Sequence, residues 1–299
     1  MSQRHPIVAV TGSSGAGRDI VRQVFDSIFR RDGLSAAYVK GESFHRYSRD
    51  EMRRISKQRI AEGDHSFSHF GADANLFAEQ EALYRSYGAN GSGRRRHYLH
   101  SAGDAARLGH FDLKPGEFTP WENLPDDTDL LVYKGLHGVV RGPGYDLGTL
   151  VDLKIGMVPV INLEWIRKVH KDTNERGYSR EAVVETVLRR MNDYVRTIVP
   201  QFKHSDVNFQ QVPVVDTSAP FIARDVPSID ESVTVVRFRR PEEFSVDFPH
   251  LLSRLEGAWM SRRNTIVLPG GKTNLAMELI FTPMIRQLMD NRRRAAHAA

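Results

Sequence analysis

Ile7-Val8-Ala9-Val10-Thr11-Gly12-Ser13-Ser14-Gly15-Ala16-Gly17-Arg18-Asp19-Ile20 is the stretch that decides the fold. A short apolar run opens it and a glycine-rich turn follows at once. A helical pattern comes next, with Ile20, Val21, Val24, Phe25, Ile28 and Phe29 on one face. Strand, glycine-rich turn and helix in this order build a phosphate-binding loop. The turn's backbone N–H groups and the positive end of the helix together receive a polyphosphate. The candidate nucleotide contacts are therefore Gly12, Ser13, Ser14, Gly15, Ala16, Gly17, Arg18 and Asp19. The spacing fits G-x-x-x-x-G-K-[ST] up to its last two places, which read Arg18-Asp19 where a lysine for the phosphates and a hydroxyl for Mg²⁺ belong. Arginine replaces lysine only in part. Asp19 is a candidate metal ligand, yet it sets a negative charge where phosphates must lie. A chance glycine-rich turn is the alternative.

The rest of the composition bounds the protein class. The chain has 299 residues, 40% hydrophobic and 26% charged, which describes an ordinary soluble protein with a sizeable core. No apolar run reaches the length of a membrane span, and no signal-peptide core precedes Ile7. Without cysteine there are no disulfides, thiolate metal sites or thiol redox control. A cytoplasmic setting is the simplest expectation. The net charge of +5 is modest, and arginine clusters such as Arg94-Arg95-Arg96, Arg189-Arg190 and Arg292-Arg293-Arg294 read as solvated faces or as sites for phosphorylated ligands. No nucleic-acid-binding motif accompanies them, so nucleic acid is the disfavoured partner.

Further along, Ala36-Ala37-Tyr38-Val39 reads as a second strand that ends in Lys40-Gly41-Glu42-Ser43-Phe44-His45-Arg46. Polar residues just past a strand's carboxyl end are where open α/β sheets place their chemistry. Residues 48–62 and 75–87 suit helices. Gly88 to Gly93, with the arginines after it, reads as a flexible linker or as a mobile basic lid. Leu130-Leu131-Val132-Tyr133 is a buried strand, followed by Lys134 where phosphate-loop enzymes usually carry an acid for Mg²⁺. Arg180 to Ile198 gives a long amphipathic helix with Val184, Val187, Leu188, Met191, Val195 and Ile198 inward. Later strands are expected at 212–215, 233–238 and 265–268, with helices near 247–257 and 272–291. The sequence thus predicts an α/β, phosphate-loop kinase-like architecture, with a mixed, largely parallel sheet flanked by helices. Residues 1–291 form one domain in this reading, and 292–299 a frayed tail.

The assembled motifs resemble the proteobacterial phosphoribulokinase family along nearly the whole chain. They include Val10 to Gly17, Phe44-His45-Arg46, Phe67-Ser68-His69-Phe70, Gly135-Leu136-His137-Gly138, Val158 to Ile166, Ile198 to Phe202, Val212 to Ser218 and Trp259-Met260-Ser261-Arg262. The resemblance implies transfer of phosphate from ATP, with Mg²⁺, to ribulose 5-phosphate in the Calvin cycle. It places sugar-phosphate contacts at His45, Arg49, Tyr98, His100, Lys168, Lys171 and Arg176, a catalytic role at Asp172, and NADH-effector arginines at Arg31, Arg237 and Arg262. It also implies a homo-oligomer, octameric in bacterial relatives.

Three positions depart from the family pattern: Arg18-Asp19 in the loop, Glu42 for the aspartate base, and Lys134 for the metal-side glutamate. Glu42 keeps the carboxylate and adds a methylene, while Lys134 repels Mg²⁺. Asp19 and Lys134 should flank one metal position, and an ion pair between them is expected there; side chains turned to solvent are the alternative. The sequence therefore predicts a catalytically impaired or inactive member of the family, with a regulatory role through co-assembly with an active homologue or through binding of sugar phosphate. A working phosphoribulokinase and a nucleotide or polyanion binding module are the alternatives.

Overall fold

The computed structural model describes residues 5–13, 18–175 and 177–297, without the side chains of residues 18, 19 and 296. Strand and helix alternate from the start: β1 (Ile7–Gly12), α1 (Arg18–Asp32), β2 (Ala36–Lys40), α2 (Arg49–Ala61) and α3 (Phe77–Asn90). Short β3 (Arg94–Arg95), α4 (Ala102–Arg107) and β4 (Glu122–Asn123) precede β5 (Leu130–Gly135). A small hairpin of β6 (Arg141–Gly142) and β7 (Tyr145–Asp146) leads to β8 (Leu153–Val158), α5 (Ile161–Asn174), α6 (Arg180–Asp193) and α7 (Val199–Phe202). The last part holds β9 (Val207–Pro213), β10 (Ser232–Phe238), α8 (Phe248–Arg254), β11 (Trp259–Arg262), β12 (Thr265–Pro269) and α9 (Thr273–His297).

Eight of these strands form one sheet in the order β11-β12-β10-β9-β8-β1-β5-β2. From β9 to β2 every pairing is parallel, and from β9 to β11 every pairing is antiparallel. This is the mixed, largely parallel sheet that the sequence predicts. β1 lies inside the sheet and is buried along its whole length, which is why it reads as an unbroken apolar run. Alternate side chains feed opposite cores. Val8, Val10, Val132 and Ile155 meet Phe25 and Ile28 of α1 and Phe281 and Ile285 of α9. Ile7, Ala9, Leu131 and Tyr133 meet Tyr84 and Tyr87 of α3.

Two expectations need correction. The helix from Arg180 is not one continuous amphipathic element, because residues Tyr194–Ile198 wind as a π-helix. Over this span Val183, Val187, Tyr194 and Ile198 go inward, while Leu188 and Val195 are exposed. The glycine-rich stretch 88–93 is neither linker nor lid: Gly91 closes α3 at a positive φ of 75°, and Arg94 and Arg95 pair with Asn123 and Glu122. α9 runs as far as His297, and Arg292 forms an ion pair with Asp129.

Candidate active site

The carboxyl ends of β1, β5 and β2 meet at one place. Thr11 pairs with Gly135, Val10 with Lys134, and Lys134 with Lys40. Residues in one register row share a face, so Lys134 and Lys40 point to the side of Val10, towards α1. Both lysines line a small cavity with Val10, Val21, Phe25 and Tyr38. The strand ends touch: a Cβ on Gly41 would lie 2.8 Å from Gly135 Cα, and one on Gly12 would lie 2.5 Å from the Met157 carbonyl oxygen. Glycine is required at both positions by this approach of backbone to backbone. Ser13, the last described residue before the turn, is buried, and its hydroxyl has no partner among the described residues. A buried, unpartnered hydroxyl at the carboxyl end of β1 suits the phosphates of a nucleotide. Ser14 to Gly17, the side chains of Arg18 and Asp19, and hence the expected Asp19–Lys134 ion pair lie outside the described residues.

Glu42 stands on the 3₁₀ turn Gly41–Phe44 that follows β2. His100 Nε2 lies 3.2 Å from Glu42 Oε2, within ion-pair distance. Arg49, at the start of α2, donates to the His100 carbonyl at 3.3 Å, and the Tyr98 ring packs edge-on against His100 at 4.9 Å. His45 closes the group: burial lowers its pKa, and the Glu42 charge opposes that shift. Five of the residues nominated from the sequence, Glu42, His45, Arg49, Tyr98 and His100, thus form one cluster. Ser48 caps α2 in a reciprocal capping box with Glu51, which fixes where Arg49 projects.

A second group comes from α5 and α6. Lys168 and the buried Asp172 form an ion pair one turn apart on α5. Lys168 lines a small cavity with Phe70, Glu164, Tyr194 and Arg190. Arg190 connects this group to the first, since its charge acts on both His45 and His69. Lys171 is exposed on α5, and Arg176 lies outside the described residues. Among the arginines proposed for an effector, Arg237 and Arg262 both pair in register with Thr265, one from each side. Arg31 sits at the seam of α1 and α9, bonded to Glu278 at 2.7 Å and Thr282 at 2.8 Å.

The model of the phosphoribulokinase / uridine kinase family matches residues 7–218. The chromosomal phosphoribulokinase of Cupriavidus necator is 53% identical over 296 residues, which is 99% of this chain and 100% of that one. The chain belongs to the phosphoribulokinase family. Phosphoribulokinase 1 of Cereibacter sphaeroides is 53% identical over 289 residues, 97% of this chain and 98% of its own length. Among solved structures, the phosphoribulokinase from Rhodobacter spheroides superposes with a TM-score of 0.88 at 50% identity, covering 97% of this chain and 99% of that one.

Within this phosphoribulokinase fold, sequence reasoning missed three residues around the cluster. Arg96, taken for part of a solvated run, donates to the carbonyls of Ser43 and His45 and stacks 3.8 Å above the Phe118 ring. His69 lies with its ring centroid 4.8 Å from that of His45, and Arg190 was read as one of a surface pair. Only the family motif around Phe67-Ser68-His69-Phe70 signalled any of them.

Proposed function

We propose that the chain is an ATP-dependent phosphoribulokinase, which transfers the γ-phosphoryl group of ATP to a hydroxyl of ribulose 5-phosphate in the Calvin cycle. The observation that carries this reading is the Glu42 carboxylate, held by His100 at the end of β2 against the strand ends that border the phosphate loop. Glu42 takes the proton of the attacking hydroxyl, and His100 orients the carboxylate that does so. Lys40 and Lys134 offset charge on the nucleotide phosphates, while Arg49, Lys168 and Arg190 offset that of the sugar phosphate. Identity of 50–53% over nearly the full length to proteins named phosphoribulokinase supports an active enzyme.

Mg²⁺ arrives with ATP and supplies charge neutralisation on its phosphates. Among the described residues no three acidic or histidine side chains group as a metal site. An Mg²⁺ that comes with a nucleotide is held mostly by phosphate oxygens and water, with one or two carboxylates at most. NADH as an effector at Arg237 and Arg262, assembly as a homo-oligomer and a cytoplasmic setting belong to the same proposal. No helix among the described residues is long and apolar enough to cross a membrane.

A second reading, a chain that binds ribulose 5-phosphate but turns over weakly or not at all, rests on Lys134. A lysine in register with Lys40 puts two cations on the row where a metal-side acid would serve. ADP release from ATP and Mg²⁺, with and without ribulose 5-phosphate and NADH, decides between the two. Glu42→Gln is the background: sugar-dependent turnover should fall by about 10²-fold or more in it. Folded wild-type protein that binds ribulose 5-phosphate yet matches this background would establish the second reading.

A further inference from the structure

The segment carrying Glu42 and His45 is bridged to a second segment through Asn75. His45 and Asn75 form an antiparallel bridge. It is flanked by Arg46 N–H donating to the Ala74 carbonyl at 2.9 Å and Leu76 N–H donating to the Phe44 carbonyl at 2.7 Å. The Asn75 side chain is buried, so its neighbours decide which way round the amide sits. Nδ2 lies 3.0 Å from the His69 carbonyl oxygen and 2.7 Å from that of Gly71. Both neighbours only accept, so the NH₂ must face them; the reversed amide would set oxygen against two oxygens. Oδ1 is thereby aimed at His45 Nδ1, 3.0 Å away. This oxygen also only accepts, so Nδ1 carries the hydrogen.

His45 has one hydrogen to place. Burial, ahead of every other influence, lowers its pKa below the ordinary 6.5, so the ring is neutral at pH 7. His69, whose ring lies tilted against it, is held well below the same value by burial and then by the charge of His45 and Arg190, and supplies no proton. With Nδ1 protonated, Nε2 keeps a lone pair.

We infer that Asn75 is a positioning residue that locks His45 as the Nδ1–H tautomer, so that Nε2 accepts a hydrogen bond from a hydroxyl of the bound sugar phosphate. The contact to sugar rests on the function proposed above. The consequence is a polarity filter. An acceptor at Nε2 takes a hydroxyl and turns away a carbonyl or phosphate oxygen, which leaves the phosphate end to the cations Arg49, Lys168 and Arg190.

Long-range ¹H–¹⁵N spectra of the full chain labelled at histidine read the tautomer directly, with the His45 ring assigned by its loss in His45→Gln. The wild type, without ligand, should show Nδ1–H. Asn75→Ala should move His45 towards Nε2–H and weaken ribulose 5-phosphate binding, measured by calorimetry, about tenfold. Nε2–H in the wild type would overturn the inference before any variant is made, and so would Nδ1–H persisting in Asn75→Ala. A changed tautomer with unchanged affinity would overturn the hydroxyl contact. Wild-type protein that binds no ribulose 5-phosphate would overturn the function proposed above, while the tautomer would still decide the role of Asn75.

Discussion

Two lysines in one register row of a parallel sheet repel each other, and an anion beside them turns that cost into binding. Lys134 and Lys40 hold such a row on the α1 side of the strand ends. In an active enzyme the anion is the nucleotide, so Lys134→Met should raise KM for ATP about tenfold while kcat changes less. A rise in kcat would instead mark Lys134 as an obstacle to metal binding. His69 offers a test of another kind. Its ring is buried, its Nδ1 has no partner among the described residues, and its pKa is held well below 6.5. As pH falls through 6.5 the unfolded chain takes up a proton that the folded chain refuses, so stability present above 6.5 declines below it. His69→Phe keeps the ring packing and removes the titration. The fall in melting temperature from about pH 7 to about pH 5 should therefore be shallower in the variant than in the wild type. Equal slopes would mean that His69 is protonated in the folded state.

At the scale of elements, the segment from Gly93 to His100 shows how local composition misleads. Glycines followed by three arginines look like mobile chain, yet Arg96 is fixed by carbonyls of Ser43 and His45, some fifty residues away in sequence. Its guanidinium fork spans both carbonyls and stacks on Phe118. Arg96→Ala should therefore cost about 2 kcal/mol of stability and raise KM for ribulose 5-phosphate. Arg96→Lys should restore little of either, because one ammonium cannot make two divergent bonds and a stacked face. Full rescue by lysine would reduce Arg96 to a surface charge. What was legible in the sequence had local causes: β1 in its unbroken apolar run, α2 in the helical run of residues 48–62, Glu42 in its place after a strand. What escaped depends on distant partners or on helix phase. Val195 was assigned inward, but Tyr194, two helical turns on from Val187, takes that place. Asn75 escaped because its neighbours His69, Gly71 and His45 converge only in the folded chain.

On the scale of the whole molecule, the parallel half of the sheet carries the candidate chemistry and the antiparallel half broadens the core on which it rests. α9 packs Phe281 and Ile285 beneath β1, β8 and β9 in the same core as α1, so the last helix supports the helix that leads out of the phosphate loop. Its end is fastened as well. Arg292 pairs with Asp129, whose other carboxylate oxygen accepts from the Ser35 N–H at 2.9 Å just before β2. Arg293, one residue on, pairs with Asp290 within the helix among the described residues, and both of those side chains are largely exposed. The two neighbours therefore separate a tertiary tie from a local one. Arg292→Ala should cost about 1 kcal/mol, a fall of roughly 2–4 °C in melting temperature, whereas Arg293→Ala should stay within about 0.5 kcal/mol of the wild type. If the two variants melt together at the wild-type temperature, the helix end is frayed as the sequence alone suggests, and the link from α9 to the edge of β2 contributes nothing. If only Arg292→Ala falls, the last turns of the chain belong to the framework that holds the strand ends of the site.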